Sequence, residues 1–517
     1  MSTNRRHFLN QVGSGMLMAG LGTSLAADLG IGVVFANDIP GALDFGGLEP
    51  LVRLMQETPP AELTAALVKR LKAGEDLRTL VAAGALSNAR TFGGQDYIGF
   101  HTFMALAPAY RMSKELPTEL QALPVLKVLH RNATRIQEFG GRKSEVLHSV
   151  APESIPSNES PGEYLRSVAR TGDIERSDRV FASLAHLPAG EAFNHLQFEV
   201  DDEVDVHRVV LAWRAMDTLE LAGNEWANCL LRQSIRYCAN TEKQIQAKQG
   251  QASPVRQVLP ALLDQYKLLG RELGTRTGDD QWISELADTI FRGTREQAAN
   301  AVAQSLVEGF SPEALGEAIS IAANRLVLHD PGRPEKWANA EKPEGSCHGD
   351  SVGVHASDAA NAWRNIVRVS NPRNVVASLL VGAFHTGGQS ERSTSAPYPF
   401  EEHFANVSEE KAEILIAQAD EAIRNKDQFR AAAIVKRYGQ LGYAERPMFD
   451  LMLRFATSED GALHAEKYYH TALVEFSSTR SAFRWNQLVA LARVTASEYG
   501  RTSVGYLDAK ELLGVSV

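Results

Sequence analysis

Helical periodicity runs through most of this 517-residue chain and constrains its fold more than any other feature. In residues 60–85, apolar side chains such as Leu63 and Leu67 recur every three or four positions, as they do on one face of an α-helix. Strand-type alternation is almost absent, and its best candidate, 196–206, is short and acidic. The sequence therefore predicts an all-α (mostly α) fold, a large multi-helix bundle or array. Fifteen further segments have the helical spacing: 101–112, 119–138, 160–186, 206–222, 225–249, 254–271, 282–308, 312–328, 354–369, 373–385, 408–422, 426–439, 444–456, 459–476 and 480–499.

Two long loops interrupt the helical pattern. Residues 329–353 contain three prolines and four glycines, which exclude a helix across the segment. Residues 386–402 are rich in Gly, Ser, Thr and Pro. Loops of this length inside a compact domain are usually functional or disordered. We expect both to form the rims of a pocket near His355 and His385.

The composition excludes several functional classes. The chain has 63 acidic against 53 basic residues and a net charge of −10, whereas nucleic-acid binding needs clustered positive charge. No segment of 18 uninterrupted apolar residues occurs, so we expect no stable membrane span. Three cysteines are too few for a disulfide framework or a four-cysteine zinc site. With 14 histidines against three cysteines, imidazole and carboxylate are the expected ligands of any bound metal or haem.

The N-terminus has the layout of a twin-arginine export signal. Arg5 and Arg6 are followed by Phe8 and by a weakly hydrophobic, Gly- and Ala-rich stretch. We therefore predict a removed signal over 1–36, with the Tat translocon as a transient partner and a periplasmic or secreted product. Cleavage after residue 26 and after residue 36 both stay open. The remainder, 37–517, is expected to be one large helical domain, and a division into two lobes near 250 also stays open.

Four helical segments repeat one arrangement, a histidine near the start, and the first three also have Ala-Trp-Arg or Ala-Tyr-Arg near the end. The histidines are His101, His207, His355 and His464, and the arginines of the first three segments are Arg111, Arg214 and Arg364. Histidine on a mostly apolar helix face can ligate a metal or move a proton near neutral pH inside a bundle. We predict His101, His207 and His355 as catalytic residues. Arg364 is predicted to stabilise a developing oxyanion, with Arg111 and Arg214 as alternatives.

A second set of residues has metal-ligand character. Glu466 and His470 are four residues apart and so share a helix face. Together with His385 they form the predicted metal-binding set, for iron or another transition metal. His464 lies about 120° from His470 around the same helix and is expected to point elsewhere. Haem held by histidine is the alternative cofactor, although no Cys-x-x-Cys-His attachment motif occurs.

These segments carry a resemblance to the questin oxidase-like family. His101-Thr-Phe-Met-Ala-Leu-Ala resembles its early His-x-x-Met-Ala-Leu stretch, and Val-His355-Ala-Ser-Asp-Ala-Ala-Asn-Ala-Trp-Arg364 is similar to its His-Ala-Val-Thr…Ala-Leu-Arg helix. The run from Asp460-Gly-Ala-Leu-His464 to Arg493 resembles its C-terminal helix pair. A departure is Ala-Ser-Asp after His355, where the family has Ala-Val-Thr.

The resemblance implies a mostly helical oxidoreductase that uses O₂. Fungal members are associated with opening an anthraquinone ring by a Baeyer–Villiger-type insertion with NADPH as reductant. We therefore expect an exported monooxygenase-type enzyme that acts on a small aromatic or quinone-like substrate in a histidine-lined pocket. The export signal, however, directs this chain to a compartment where NADPH is scarce. Two alternatives stay open: a helical-repeat interaction module without catalysis, and a histidine-ligated haem or metal protein.

Overall fold

The computed structural model describes residues 41–405 and 407–516 of the chain. Over these residues it contains twenty-two α-helices joined by turns and short 3₁₀ segments, and no strand beyond isolated bridges. The prediction of an all-α protein is confirmed. The twin-arginine motif and both candidate cleavage sites lie outside the described residues.

The helices are numbered in chain order. The first eleven are α1 (Glu49–Glu57), α2 (Pro60–Lys72), α3 (Leu77–Phe92), α4 (Tyr97–Glu115), α5 (Ala122–Phe139), α6 (Pro161–Ala169), α7 (Ile174–Ala182), α8 (Ala189–Val200), α9 (Val206–Ala222), α10 (Ala227–Ala247) and α11 (Val255–Gln265). The others are α12 (Asp280–Arg292), α13 (Arg295–Val307), α14 (Pro312–Leu328), α15 (Val352–Val369), α16 (Pro372–Thr386), α17 (Ala412–Arg424), α18 (Gln428–Gln440), α19 (Arg446–Ser458), α20 (Ala465–Ser478), α21 (Trp485–Glu498) and α22 (Val504–Leu513).

Side-chain caps fix where the three histidine-bearing helices begin. Asp96 accepts a hydrogen bond from the backbone N–H of Gly99 at the start of α4, and Asp205 accepts one from His207 at the start of α9. Ser351 does the same for Val354 at the start of α15. Each cap satisfies a backbone donor that the first helical turn leaves unpaired. The caps therefore set the position of the histidines that follow.

Four helices form a closed ring in the middle of the fold. Helix α4 packs against α9 and α20, and α15 packs against the same two helices. Their buried faces carry mostly apolar or small side chains, among them Phe103 on α4, Leu211 on α9 and Ala359 on α15. Helical bundles build their functional sites from side chains that project into such an interior. This ring positions the candidate site.

The rest of the chain supports this ring. Helices α14 and α16 flank α15 on its other sides, while α17–α21 share a core of small and aromatic side chains that includes Tyr438 and Phe449. Residues Asp44–Val517 form one compact unit. None of the described helices is both long enough and apolar enough to cross a bilayer.

Candidate functional site

Four histidines from four helices meet in one cluster at the centre of the ring. Successive ring centroids are 4.9 Å apart for His101–His207, 5.7 Å for His207–His355, 5.3 Å for His355–His464 and 5.3 Å for His464–His101. Each imidazole thus contacts two of the other three. The structure brings together the three histidines predicted as catalytic and adds His464. We refer to these four residues as the histidine cluster.

Hydrogen bonds fix the orientation of two of the rings. His101 Nδ1 lies 2.7 Å from the carbonyl oxygen of Tyr97, and His207 Nδ1 lies 3.1 Å from a carboxylate oxygen of Asp205. Both acceptors require a proton on Nδ1, so Nε2 of each neutral ring carries a lone pair. Both Nε2 atoms are buried and lack a hydrogen-bond partner. Metal-binding histidines usually have this environment: one ring nitrogen, here Nδ1, donates to a carbonyl or carboxylate oxygen, and the other, here Nε2, is left to bind the ion.

The other two rings face each other through Nε2. The Nε2 atoms of His355 and His464 are 3.3 Å apart. This distance fits a shared hydrogen bond, and it also fits two ligands of one ion. Two nitrogens bound at about 2.0–2.1 Å in tetrahedral geometry lie about 3.3–3.4 Å from each other.

The spacing of the rings is close to that of a metal centre but not identical to it. Around one ion, neighbouring imidazole centroids lie about 4.5–5.3 Å apart for the same bond lengths; three of the four observed distances fall in this range, and the His207–His355 distance is longer. As the side chains stand, no group of three or more His, Cys, Asp or Glu in the described part of the chain is arranged to hold a metal. Small side-chain rotations would have to direct the four Nε2 atoms at one point about 2.0–2.1 Å from each of them.

His464 is the cluster member that the sequence did not group with the other three. It points away from His470, as its position around the helix predicted: the His464 ring contacts His101 and His355, whereas His470 lies beside the Arg214 and Arg111 charges. The sequence predicted one continuous helix through 459–476. Instead, a 3₁₀ turn, Gly461–Leu463, precedes the helix, and His464 is the N-cap of α20. Gly349 lies against this residue so closely that a Cβ there would come within 2.4 Å of the His464 Cβ. The loop before α15 therefore covers His464.

A buried lysine and aspartate lie beside the cluster, and the sequence did not single out the lysine. Burial lowers the pKa of Lys467 to about 7, although the nearby Asp358 carboxylate acts in the opposite direction. Burial raises the pKa of Asp358, which accepts a hydrogen bond of 2.7 Å from the Thr471 hydroxyl. The Lys467 charge in turn lowers the pKa of His101 and of His355. A proton donor and acceptor thus lie next to the histidines.

Desolvation favours the neutral imidazole at His101 and at His355. Burial is the main cause of the lowered pKa of His101, and it lowers the pKa of His355 to about 4. Protonating one ring also disfavours protonation of its neighbours. Neutral imidazole is the form that binds metal ions. At neutral pH, His101 and His355 therefore present lone pairs rather than positive charge.

Two rings of the cluster keep a partly exposed surface. His101 and His464 are buried, whereas His207 and His355 are partly exposed. Tyr97, which is 53% exposed, packs against two of the rings, with its ring centroid 4.3 Å from that of His101 and 5.7 Å from that of His207. The exposed part of the cluster therefore lies on the side of His207 and His355.

The predicted arginines do not reach the cluster. The Arg364 guanidinium is buried and bonded to Glu475 at 2.7 Å, to Glu313 and to the carbonyl oxygen of Ser478. Arg111 and Arg214 both pair with the Asp217 carboxylate. The Arg111 and Arg364 pairs join neighbouring helices, and the Arg214 pair lies within α9, so these contacts explain the arginines as packing groups.

The predicted metal set His385, Glu466 and His470 is not brought together. Glu466 is bound by Lys127 at 2.9 Å, and His385 Nδ1 accepts a hydrogen bond of 3.4 Å from the Trp363 indole. His470 is buried beside the Arg214 and Arg111 charges, which contribute to its lowered pKa. The three residues lie in three different environments, so they do not form one ligand set.

One of the groups that orient the histidine rings, the Asp205 carboxylate, could have been found from the sequence. Asp205 precedes His207 by two residues and contacts both its backbone and its ring. The Tyr237 hydroxyl, from α10, donates to the other Asp205 oxygen at 2.5 Å.

Comparison with known protein families, with curated proteins and with solved structures found no match.

Proposed function

We propose that the histidine cluster binds one transition-metal ion and that the protein is a metal-dependent oxidoreductase. The observation that carries this proposal is the pair of buried, unpartnered Nε2 atoms on His101 and His207, each on a ring fixed from its other side. Leaving such atoms without a partner costs free energy that a bound ion would recover. The facing Nε2 atoms of His355 and His464 supply the remaining donors.

The donor set favours an iron-like ion over haem. The four rings contact one another, so a planar porphyrin cannot separate them without unpacking the helices. Four imidazole nitrogens suit iron, copper and zinc, and of these zinc has no redox chemistry. When bound by these four histidines, a redox-active ion would supply one-electron and O₂ chemistry.

The resemblance to the questin oxidase-like family extends the proposal to the reaction. We propose an O₂-dependent, monooxygenase-type oxidation of an aromatic or quinone-like molecule. Insertion of one oxygen atom reduces the second to water and needs two electrons from a donor, which in that family is NADPH.

The residues around the cluster have separate roles in this proposal. The Asp205 carboxylate and the Tyr97 carbonyl hold the His207 and His101 rings with Nε2 directed inward. Lys467, with a pKa lowered to about 7, is suited to donate a proton and take it back near neutral pH. The packed apolar faces of the four helices exclude water on the buried side.

Metal analysis tests the first part of the proposal. The chain, produced with its own export signal, should contain about one equivalent of a transition metal. His207→Ala and His355→Ala should reduce this to below about a tenth of an equivalent. His186→Ala is the matched control, because His186 is exposed and bonds only the nearby Ser183 carbonyl. Metal-free wild-type protein would contradict the proposal and would favour the alternative of a helical-repeat interaction module without catalysis.

Oxygen consumption tests the reaction. Wild-type protein should consume O₂ in the presence of hydroxylated anthraquinones, and chelation should abolish this uptake until the metal is restored. NADPH oxidation followed in the same cuvette decides whether NADPH is the donor. Metal-loaded protein that never consumes O₂ would limit the proposal to metal binding.

We also propose that residues 1–36 direct export by the twin-arginine route. Replacing both Arg5 and Arg6 by lysine should leave the protein in the cytoplasm of the producing bacterium, whereas the wild-type chain should reach the periplasm or the medium. Cell fractionation measures this, with a cytoplasmic marker enzyme as control. Unchanged export of the double variant would refute the assignment.

A further inference from the structure

A cavity of about 370 Å³ lies between the two long loops, beside the start of α15. It is lined by residues of both loops, as expected for two rims of one pocket. Its polar lining includes Arg333, His348, Asp350 and Arg392, and Trp337 contributes an aromatic ring. The histidine cluster does not line this cavity, and the first turn of α15 separates it from His355.

The groups that this cavity leaves unsatisfied are mainly hydrogen-bond donors. Val352 and Gly353, the first two residues of α15, line it, while the Ser351 side chain caps only the N–H of Val354. The Nε of Arg333 is buried without a partner. Backbone N–H groups at a helix start and an unused guanidinium N–H both favour a negatively charged ligand.

A buried histidine adds an unsatisfied side-chain nitrogen, which donates to an anion when Nε2 carries the ring proton. His348 is 3% exposed and lines the cavity, and its Nε2 has no hydrogen-bond partner. This orphaned polar atom is independent of the helix start, because it belongs to the loop before it. A ligand that reaches both would remove two unfavourable features of the empty site at once.

The acidic residues of the lining are already neutralised or bonded, with one exception at the rim. Asp350 pairs with Arg333 and with Lys342 at 2.7 Å each, and Asp330 accepts hydrogen bonds from the Gly332 N–H and the Cys347 thiol. Glu391 alone is exposed and without a cation. The cavity therefore repels an anion less than its count of carboxylates suggests.

The outer part of the cavity offers an aromatic surface. Trp337 is 54% exposed, with Lys336 Nζ 4.5 Å and the Arg392 guanidinium 5.9 Å from the ring centroids. Arg392 makes no ion pair within the described residues. A planar ring can stack on Trp337 while the two nearby cations attract its charged substituent.

We propose that this cavity binds a small aromatic carboxylate. The carboxylate lies against the Val352 and Gly353 N–H groups, Arg333 Nε and His348, and the aromatic ring lies on Trp337. The site goes beyond the proposed function and does not require the metal. A ligand in this site would lie at the start of α15, and His355 follows Val352 by about 4.5 Å along the axis of the same helix.

Benzoate is the probe for this proposal, with benzamide and acetate as matched controls for charge and ring. Calorimetric titration of the purified chain should show one site for benzoate and at least roughly tenfold weaker binding of benzamide and acetate. Arg392→Gln and Trp337→Ala, both on exposed side chains, should each weaken benzoate binding by roughly threefold to tenfold. Arg292→Gln, an exposed arginine outside the cavity, should change nothing.

The metal-free variant His207→Ala separates this proposal from the previous one. Benzoate binding should persist in His207→Ala, because the cavity does not contain His207. Binding that disappears with the metal would identify benzoate as a metal ligand and overturn the cavity site. No benzoate binding at about 10 mM, or equal binding of benzamide, would also overturn it, while leaving a measured metal stoichiometry unaffected.

Discussion

The Asp205 carboxylate has two roles: it caps the start of α9 and it orients the His207 ring. The two roles can be separated, since asparagine caps helices as well as aspartate but lacks the negative charge. We predict that Asp205→Asn lowers metal affinity by about 10- to 100-fold while leaving thermal stability nearly unchanged. Competition with a chromophoric chelator measures the affinity. The control is Asp76→Asn, which changes the cap of α3 in the same way; an equal loss of affinity there would refute the orienting role.

Single residues also show where sequence reasoning succeeded and where it failed. His101, His207 and His355 could be singled out because each follows a helix start, a signal contained in a few neighbouring residues. His464 was not grouped with them, because its place beside the other rings depends on the turn Gly461–Leu463, where both end residues have positive φ. A helical wheel cannot include such a break. No pattern in the neighbouring residues predicted the position of Lys467, because only the packing of the four helices places this lysine beside the histidines.

At the scale of helices, the buried Glu466 carboxylate of α20 pairs with two cations of α5, and the closer pair is with Lys127, while Arg131 lies 3.6 Å away. Lys127 binds Glu466 at 2.9 Å and donates to the carbonyl oxygens of Ala456 and Glu459, and both charged side chains are fully buried. Glu466 and His470 share a helix face, as their spacing predicted. That spacing could not reveal the partner, which lies far away in the sequence. The same limit applies to Arg364, whose carboxylate partners come from α14 and α20.

This ion pair gives a direct test of the metal role first predicted for Glu466. Glu466→Gln should cost about 3–5 kcal/mol of unfolding free energy, because it leaves the buried Lys127 charge uncompensated. Metal content should stay at about one equivalent, since a carboxylate held by lysine is not part of the cluster. Urea unfolding and elemental analysis of the same sample give both values. Loss of the metal from a folded variant would restore Glu466 as a ligand. Glu163→Gln, on a partly exposed pair with Arg166, is the control with little effect on stability.

At the scale of the whole molecule, helical periodicity was sufficient to predict the fold class, because the apolar spacing of each helix depends only on the residues of that helix. The arrangement of α4, α9, α15 and α20 into a ring was not predictable, since it depends on contacts between distant segments. The consequence of that arrangement is an interior that holds several histidines away from water. Burial on this scale should make the stability of the whole protein depend on pH.

Acid should destabilise the protein through its buried histidines. Burial lowers the pKa of His348 and of His385 to about 4 each, from an ordinary value of about 6.5. Between these values the unfolded chain binds protons that the folded chain does not, so stability is complete above about pH 6.5 and falls as pH decreases towards about 4. Each histidine contributes at most about 1.4 kcal/mol per pH unit. His385→Gln, which keeps an acceptor for the Trp363 indole, should therefore make the decline shallower by up to that amount. Urea unfolding at several pH values in the presence of a chelator measures it, and exposed His186→Gln should leave the slope unchanged. A slope equal to that of the wild type in His385→Gln would show that this imidazole is already protonated in the folded protein.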